Sequence, residues 1–126
     1  MRRSLLLLLA VVLPSTGCLA AAAGAAGGIY LTSRGAESMV QGSVDQTAGR
    51  AEAVMGEMGI VKEGERTENQ GEQHVLKGKK GDLDITVDIK RESESTVKVE
   101  VAARKNLAEW DKDYAKDVLS RIVQKG

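Results

Sequence analysis

The chain has no phenylalanine. It carries single copies of tryptophan (Trp110), histidine (His74), proline (Pro14) and cysteine (Cys18), and two tyrosines, Tyr30 and Tyr114. Each shortage removes a class of function. One cysteine excludes an intrachain disulfide. One histidine and one cysteine fall short of the several nitrogen and sulfur ligands of a zinc site. So few aromatic rings argue against a stacking platform for nucleic acid and against an aromatic cleft for sugars. Basic and acidic residues balance at 18 each, so there is no basic field to hold a phosphate backbone, and nucleic acid is not an expected partner. Without phenylalanine, the core must be assembled from Val, Ile, Leu, Met and Ala.

A long hydrophobic span is also missing. The unbroken apolar run Leu5 to Leu13 has nine residues, about 14 Å of helix at ~1.5 Å per residue, against a hydrocarbon core of ~30 Å. Extending it as an uncleaved anchor would carry a helix through Pro14, at ~3 kcal/mol, and through Ala and Gly, which add little membrane affinity. Arg2 and Arg3 before the run, and Ser15, Thr16 and Gly17 after it, give the layout of an export signal. Leu13-Pro14-Ser15-Thr16-Gly17 matches a cell-wall sorting tag in letters only, since it precedes the whole remaining chain. Gly17-Cys18 resembles the lipobox of bacterial lipoproteins, although Ser15 stands where that motif usually has Leu. The resemblance implies cleavage between Gly17 and Cys18, a diacylglyceryl thioether on Cys18, and acylation of the new amino end. Acylation would also remove an otherwise reactive lone thiol, and two or more acyl chains hold a soluble domain stably on a bilayer.

Removing residues 1–17 takes away Arg2 and Arg3 and leaves 109 residues, with 16 basic against 18 acidic side chains, a net charge of −2. That length suits one domain. Residues 18–28 read as an Ala/Gly tether and 29–126 as the domain. A first strand starts at Ile29-Tyr30 and continues weakly to about Val40, with an interruption at Gly35. Val44, Thr47, Ala48, Ala51, Val54, Met55 and Met58 recur at helical spacing over 43–58, with Ser43 as N-cap and Gly59 as the left-handed terminator. Gly49 and Gly56 inside that helix suggest close approach to a sheet. A strand from Ile60 turns polar by Glu63. A turn at 68–71, a short strand at 73–77 and a second turn at 78–81 follow.

The clearest pattern is Leu83, Ile85, Val87 and Ile89 alternating with polar residues, then Val97, Val99, Val101 and Ala103 doing the same: two half-buried strands joined around Glu92-Ser93-Glu94. Pairing Ile89 with Val97 sets Asp88 beside Lys98, whereas a two-residue shift opposes Asp88 to Glu100 and Lys90 to Lys98. Like charges directly opposite are unfavourable, so the first register is expected. A second helix is predicted over 110–124, with Trp110, Tyr114, Val118, Leu119 and Ile122 on one face. The order β-α-β-β-β-β-α predicts an α+β two-layer sandwich: a mostly antiparallel sheet of four to five strands covered on one face by two helices.

Taken together, Gly17-Cys18, the Ala/Gly run into Ile29-Tyr30, the Ala-rich helix ending at Met58-Gly59, the "ITVDIKRESESTVKVEVAARKN" hairpin and the "VLSRIV" ending resemble a family of small bacterial lipoproteins classed as a domain of unknown function. Members often carry a Gly-Asp turn after the last strand, where this chain has Ala103-Arg104-Lys105-Asn106. The resemblance implies an envelope lipoprotein and carries no catalytic residues or cofactor. Leu19 rather than Asp after the cysteine is compatible with an outer-membrane address facing the periplasm in a diderm host.

Reactive constellations are scarce. His74 reads as a strand-edge histidine without the nucleophile and acid of a hydrolytic site. Asp82, Asp84 and Asp88 form an acidic strip of the kind common on the wet side of a strand. The "KGKKGD" stretch at 77–82 lacks P-loop spacing and reads as a hairpin turn. Trp110 and Tyr114, one helical turn apart, are the candidate ligand or partner surface. The expectation is a non-enzymatic, cofactor-free domain that binds the membrane through Cys18 and presents a surface to another envelope protein. The alternative is a small-molecule or lipid-binding module with a cavity between sheet and helix near Trp110.

Overall fold

The computed structural model describes residues 25–126; the expected export signal, Cys18 and the first part of the expected tether lie outside them. The elements are β1 (Ala25–Leu31), β2 (Gly35–Gln41), α1 (Val44–Glu57), β3 (Val61–Glu68), β4 (Gln73–Lys80), β5 (Leu83–Arg91), β6 (Thr96–Arg104) and α2 (Lys112–Lys125). One antiparallel sheet runs β1-β2-β6-β5-β4-β3. Both helices cover the same face, giving the expected α+β architecture with six strands instead of four to five. The extra strand comes from 29–40, read as one weak strand interrupted at Gly35; the interruption is a full turn. Thr32 Oγ1 accepts hydrogen bonds from Arg34 N at 3.3 Å and Gly35 N at 3.0 Å, closing a turn that splits the segment into a hairpin. Strand β1 also starts at Ala25, so the end of the presumed tether belongs to the sheet.

Local sequence explains the helix ends. Ser43 and Gln46 form a reciprocal capping box at the start of α1. Gly59 at φ +73° terminates it. Helix α2 starts two residues later than expected. Asp111 Oδ1 accepts from Tyr114 N at 3.0 Å as N-cap, while Asp111 N donates to Ala103 O at 2.7 Å. Trp110 is therefore held in a β-bridge to Arg104 rather than in the helix.

The core joins Leu76, Ile85, Val87, Ile89, Val97, Val99 and Val101 of the sheet to Ala51, Val54 and Met55 of α1 and Ala115, Val118, Leu119 and Ile122 of α2. Each large aliphatic side chain so buried contributes ~1.5–3 kcal/mol. The close approaches lie elsewhere than the helix glycines. A Cβ added at Gly49 or Gly56 meets nothing within 4 Å. A Cβ on Gly78 of β4 would lie 2.6 Å from both Met55 Cε and Ile60 Cγ2, and one on Gly35 would lie 2.0 Å from Val101 O and 2.7 Å from Ala115 Cβ. Glycine in the sheet, not in the helix, lets α1 and α2 settle onto the strands.

The β5–β6 register is the shifted one: Ile89 faces Val99, Asp88 faces Glu100 and Lys90 faces Lys98. Both registers bury the same apolar set, so the outcome rests on smaller effects. Each exposed like-charge pair costs only a few tenths of a kcal/mol. Against this, the chain closes through Glu92 N and Ser93 N, both donating to Thr96 O at 2.9 and 3.1 Å. Asp84 now faces Arg104, and Asp88 accepts from Gln73 Nε2 of β4 at 2.9 Å. The expected register was argued from two strands alone; the third supplied a partner for Asp88.

Candidate functional site: the outer face of the sheet

Along β6, buried Val97, Val99, Val101 and Ala103 alternate with half-exposed Lys98, Glu100, Ala102 and Arg104, so the second set faces away from the helices. On this uncovered face Ala102 lies beside Thr86, and Thr86 beside Lys77. These positions form the floor of a trough crossing the strands. Glu100 and Asp88 stand along one side and Arg104 and Asp84 along the other. The cavity has a volume of about 450 Å³ and is closed at its β6 end by Arg34 and Trp110.

The Trp110 ring has two guanidinium neighbours, with Arg34 Cζ at 5.5 Å and Arg104 Cζ at 5.4 Å from its centroid. Such contacts are worth ~0.5–1 kcal/mol each at exposed sites. Arg104 is further held by donating from Nε to Asn106 O at 3.1 Å and from Nη2 to Leu107 O at 3.4 Å. Arg34 is positioned through its backbone, by the Thr32 turn and by Ala103 N donating to Arg34 O at 3.4 Å. At the opposite end, β3 carries a bulge: Lys62 faces Gly78 and Gly64 faces Lys77, leaving Glu63 as the extra residue. A bulge re-aims a side chain, and Glu63 lines the trough.

Trp110 and Tyr114 are not brought together. Trp110 lines the outer trough, whereas Tyr114 packs against the core on the helix side. Its hydroxyl is buried without a hydrogen-bond partner, and burial pushes its pKa upward. The helical spacing that linked the two residues fails because Trp110 precedes the cap. The cavity near Trp110 also lies on the face away from the helices, not between helix and sheet as the ligand-binding alternative had it.

His74 is better connected than expected. Its Nδ1 lies 3.2 Å from Thr67 Oγ1 and its Nε2 lies 3.0 Å from Glu65 Oε2, the connectivity of a hydroxyl, base and acid. Glu65 is, however, shared with Lys62. That hydrogen bond holds the Glu65 carboxyl below the usual carboxylate range. Lys62 in turn reaches Glu52 of α1 at 2.5 Å, and the Lys62 pKa is raised by this bond and by Glu65. Neither the trough nor the two smaller depressions is lined by Thr67, His74 or Glu65. The string reads as a polar ladder fastening edge strand β3 to β4 and α1. Asp84 is paired with Lys79 at 3.1 Å, Asp88 accepts from Gln73, and Asp82 lies in the turn before β5. Among the described residues these acids do not gather into a metal-binding group.

The sequence reading missed Arg34, Glu63, Arg104 and the trough. The available signal was the alternation in β6, which puts Ala102 and Arg104 on the wet face. Nothing in the sequence tied Arg34 to them. Compared with protein families, with curated proteins and with solved structures, the chain matches none.

Proposed function

We propose that this chain is a bacterial envelope lipoprotein: a non-enzymatic interaction module anchored through acyl chains on Cys18. The observation that carries the reading is the succession of Arg2-Arg3, the apolar run Leu5 to Leu13, and Gly17-Cys18. No helix among the described residues is long and apolar enough to cross a membrane, so a lipid is the anchor that this reading calls upon. The fold sharpens the geometry. Seven residue steps separate Cys18 from Ala25, where β1 begins, and a chain of that length spans at most ~25 Å. The domain is thus held close to the bilayer. Strand β1 runs from the anchored end to the Thr32 turn, ~20 Å away at ~3.4 Å per residue. The trough crosses the strands at the level of this turn, since Arg34, Ala103, Ile85, Gly78 and Lys62 fall in one row, so both of its ends lie far from Ala25.

The test is fractionation of cells producing the natural chain or Cys18→Ser. The natural chain is expected in the membrane fraction and released by detergent alone; the variant is expected with its signal retained or in the soluble envelope fraction. Identical membrane association and identical size for the two would refute the lipid anchor.

A further inference from the structure

The two ends of the outer trough differ in charge: two guanidinium groups stand at the β6 end, where Glu100 is the one acid, and a carboxylate stands at the β3 end. At the β6 end stand Arg34 and Arg104 with Trp110. Arg104 already donates to two carbonyl groups. Arg34 has no ion-pair or side-chain hydrogen-bond partner among the described residues, so its donors are free while its position is fixed by the turn and the indole. At the β3 end the bulge delivers Glu63, likewise without an ion pair among the described residues. Asp88 and Asp84, the latter paired with Lys79, lie on β5 between the two ends, and Lys77 is the counter-charge on β4. The floor between the two ends is Ala102 and Thr86, low enough for a ligand backbone to lie across the strands.

The span sets the ligand's size. From β6 to β3 is three interstrand steps of ~4.8 Å, roughly 14 Å, and the Arg34 and Glu63 side chains reach inward from both ends. Three extended residues cover ~10 Å. A planar guanidinium with free donors suits a carboxylate, which it binds in bidentate fashion. A carboxylate with no ion pair of its own, as Glu63 is among the described residues, suits an ammonium group. We infer that the trough is a binding site for a short zwitterionic peptide of about three residues, with its free carboxylate at Arg34 and its free amino end at Glu63. The inference rests on the reading of this domain as a module that presents a surface, and it does not require the lipid on Cys18.

The probe is tri-alanine, added to the full chain in detergent micelles. Trp110 is the only tryptophan, so its emission reports on the site directly. Expected is a saturable emission change with tri-alanine, and a loss of affinity of about tenfold or more when the peptide is amino-acetylated or carboxy-amidated. Arg34→Ala should abolish the penalty for amidation and leave that for acetylation, and Glu63→Gln should do the reverse. Ala102→Leu fills the floor from the solvent side and should abolish binding while the circular dichroism spectrum stays native. No response to tri-alanine at about 10 mM, equal binding of the blocked peptides, or full binding by folded Ala102→Leu would each overturn the assignment. Acetylation without effect, amidation alone being harmful, would indicate a protein carboxyl terminus as ligand and would also overturn the two-ended site. Any of these results can occur with Cys18 acylated, so failure here is distinct from failure of the anchor.

Discussion

The same substitution, Gly to Ala, should have opposite effects at four glycines, with signs set by which surface each one faces. Gly49 and Gly56 lie exposed on α1, and an added Cβ there meets nothing within 4 Å. Alanine removes unfolded-state freedom and improves helix propensity, worth ~0.8–1.0 kcal/mol at a helix interior. Gly56 is next to the last residue of α1 and should gain less, so the pair should add about 1.5 kcal/mol. For a domain of about this size, 1 kcal/mol shifts Tm by roughly 4–8 °C. At Gly78 the new methyl would press on Ile60 and Met55, each 2.6 Å away. Overpacking of this kind costs ~1–3 kcal/mol, toward the lower end if the Met55 side chain moves aside. At Gly35 the obstacle is a backbone oxygen, Val101 O at 2.0 Å, inside the β2–β6 ladder. That atom cannot yield without breaking strand pairing, so Gly35→Ala should cost ~3 kcal/mol or more. Urea unfolding followed by far-ultraviolet circular dichroism measures all four. A loss of more than about 0.5 kcal/mol in Gly49→Ala, or no loss in Gly35→Ala, would show that the helices approach the sheet differently from the packing described above.

Three further outcomes follow from single contacts. Lys90→Glu turns the Lys90–Lys98 opposition into an attractive pair and should stabilise by ~0.2–1 kcal/mol, an effect that shrinks with salt; a destabilised variant would argue for the other register. Tyr114→Phe removes a buried hydroxyl that has no partner and should raise stability by about 1 kcal/mol. Because burial raises the Tyr114 pKa, its contribution is complete below the unfolded value of ~10 and is lost as pH rises through the folded value; the variant should therefore unfold less steeply on the alkaline limb of a pH–stability profile, and an unchanged limb would refute this. The Glu65 pKa is lowered by Lys62, so its contribution is present above the unfolded value of ~4.3 and is lost as pH falls through the lower folded value. Lys62→Ala should move the Glu65 carboxyl resonance back to an ordinary titration midpoint, and an unmoved midpoint would contradict the pairing.

What could be read in advance were the features written locally in the chain. The α1 cap at Ser43, its stop at Gly59, and the alternation of β5 and β6 each depend on a few neighbouring residues, and each appears where expected. What could not be read depended on distant partners. The Thr32 turn splits 29–40 because its hydroxyl meets Arg34 and Gly35; Gly35 marked an interruption, but not that the chain reverses there. The hairpin register came with the closure onto Thr96 O and the facing of Asp84 and Arg104, while Gln73 of a third strand gave Asp88 a partner. Trp110 left the helix because Ala103 accepts from Asp111. The trough draws on Arg34, Glu63, Ala102 and Trp110, residues 76 positions apart at the extremes, and no local pattern connects them. The Trp110–Tyr114 surface failed for the complementary reason: helical spacing was extended one residue beyond the cap.

The central claim, a lipid on the sulfur of Cys18, is tested most directly by intact-mass measurement of the protein extracted from cell membranes. The predicted result is a chain beginning at Cys18 and heavier than its 109 residues by a diacylglyceryl group and, where the host adds it, a further acyl chain. A chain whose mass corresponds to a free thiol at Cys18, whether or not residues 1–17 are still attached, would contradict it.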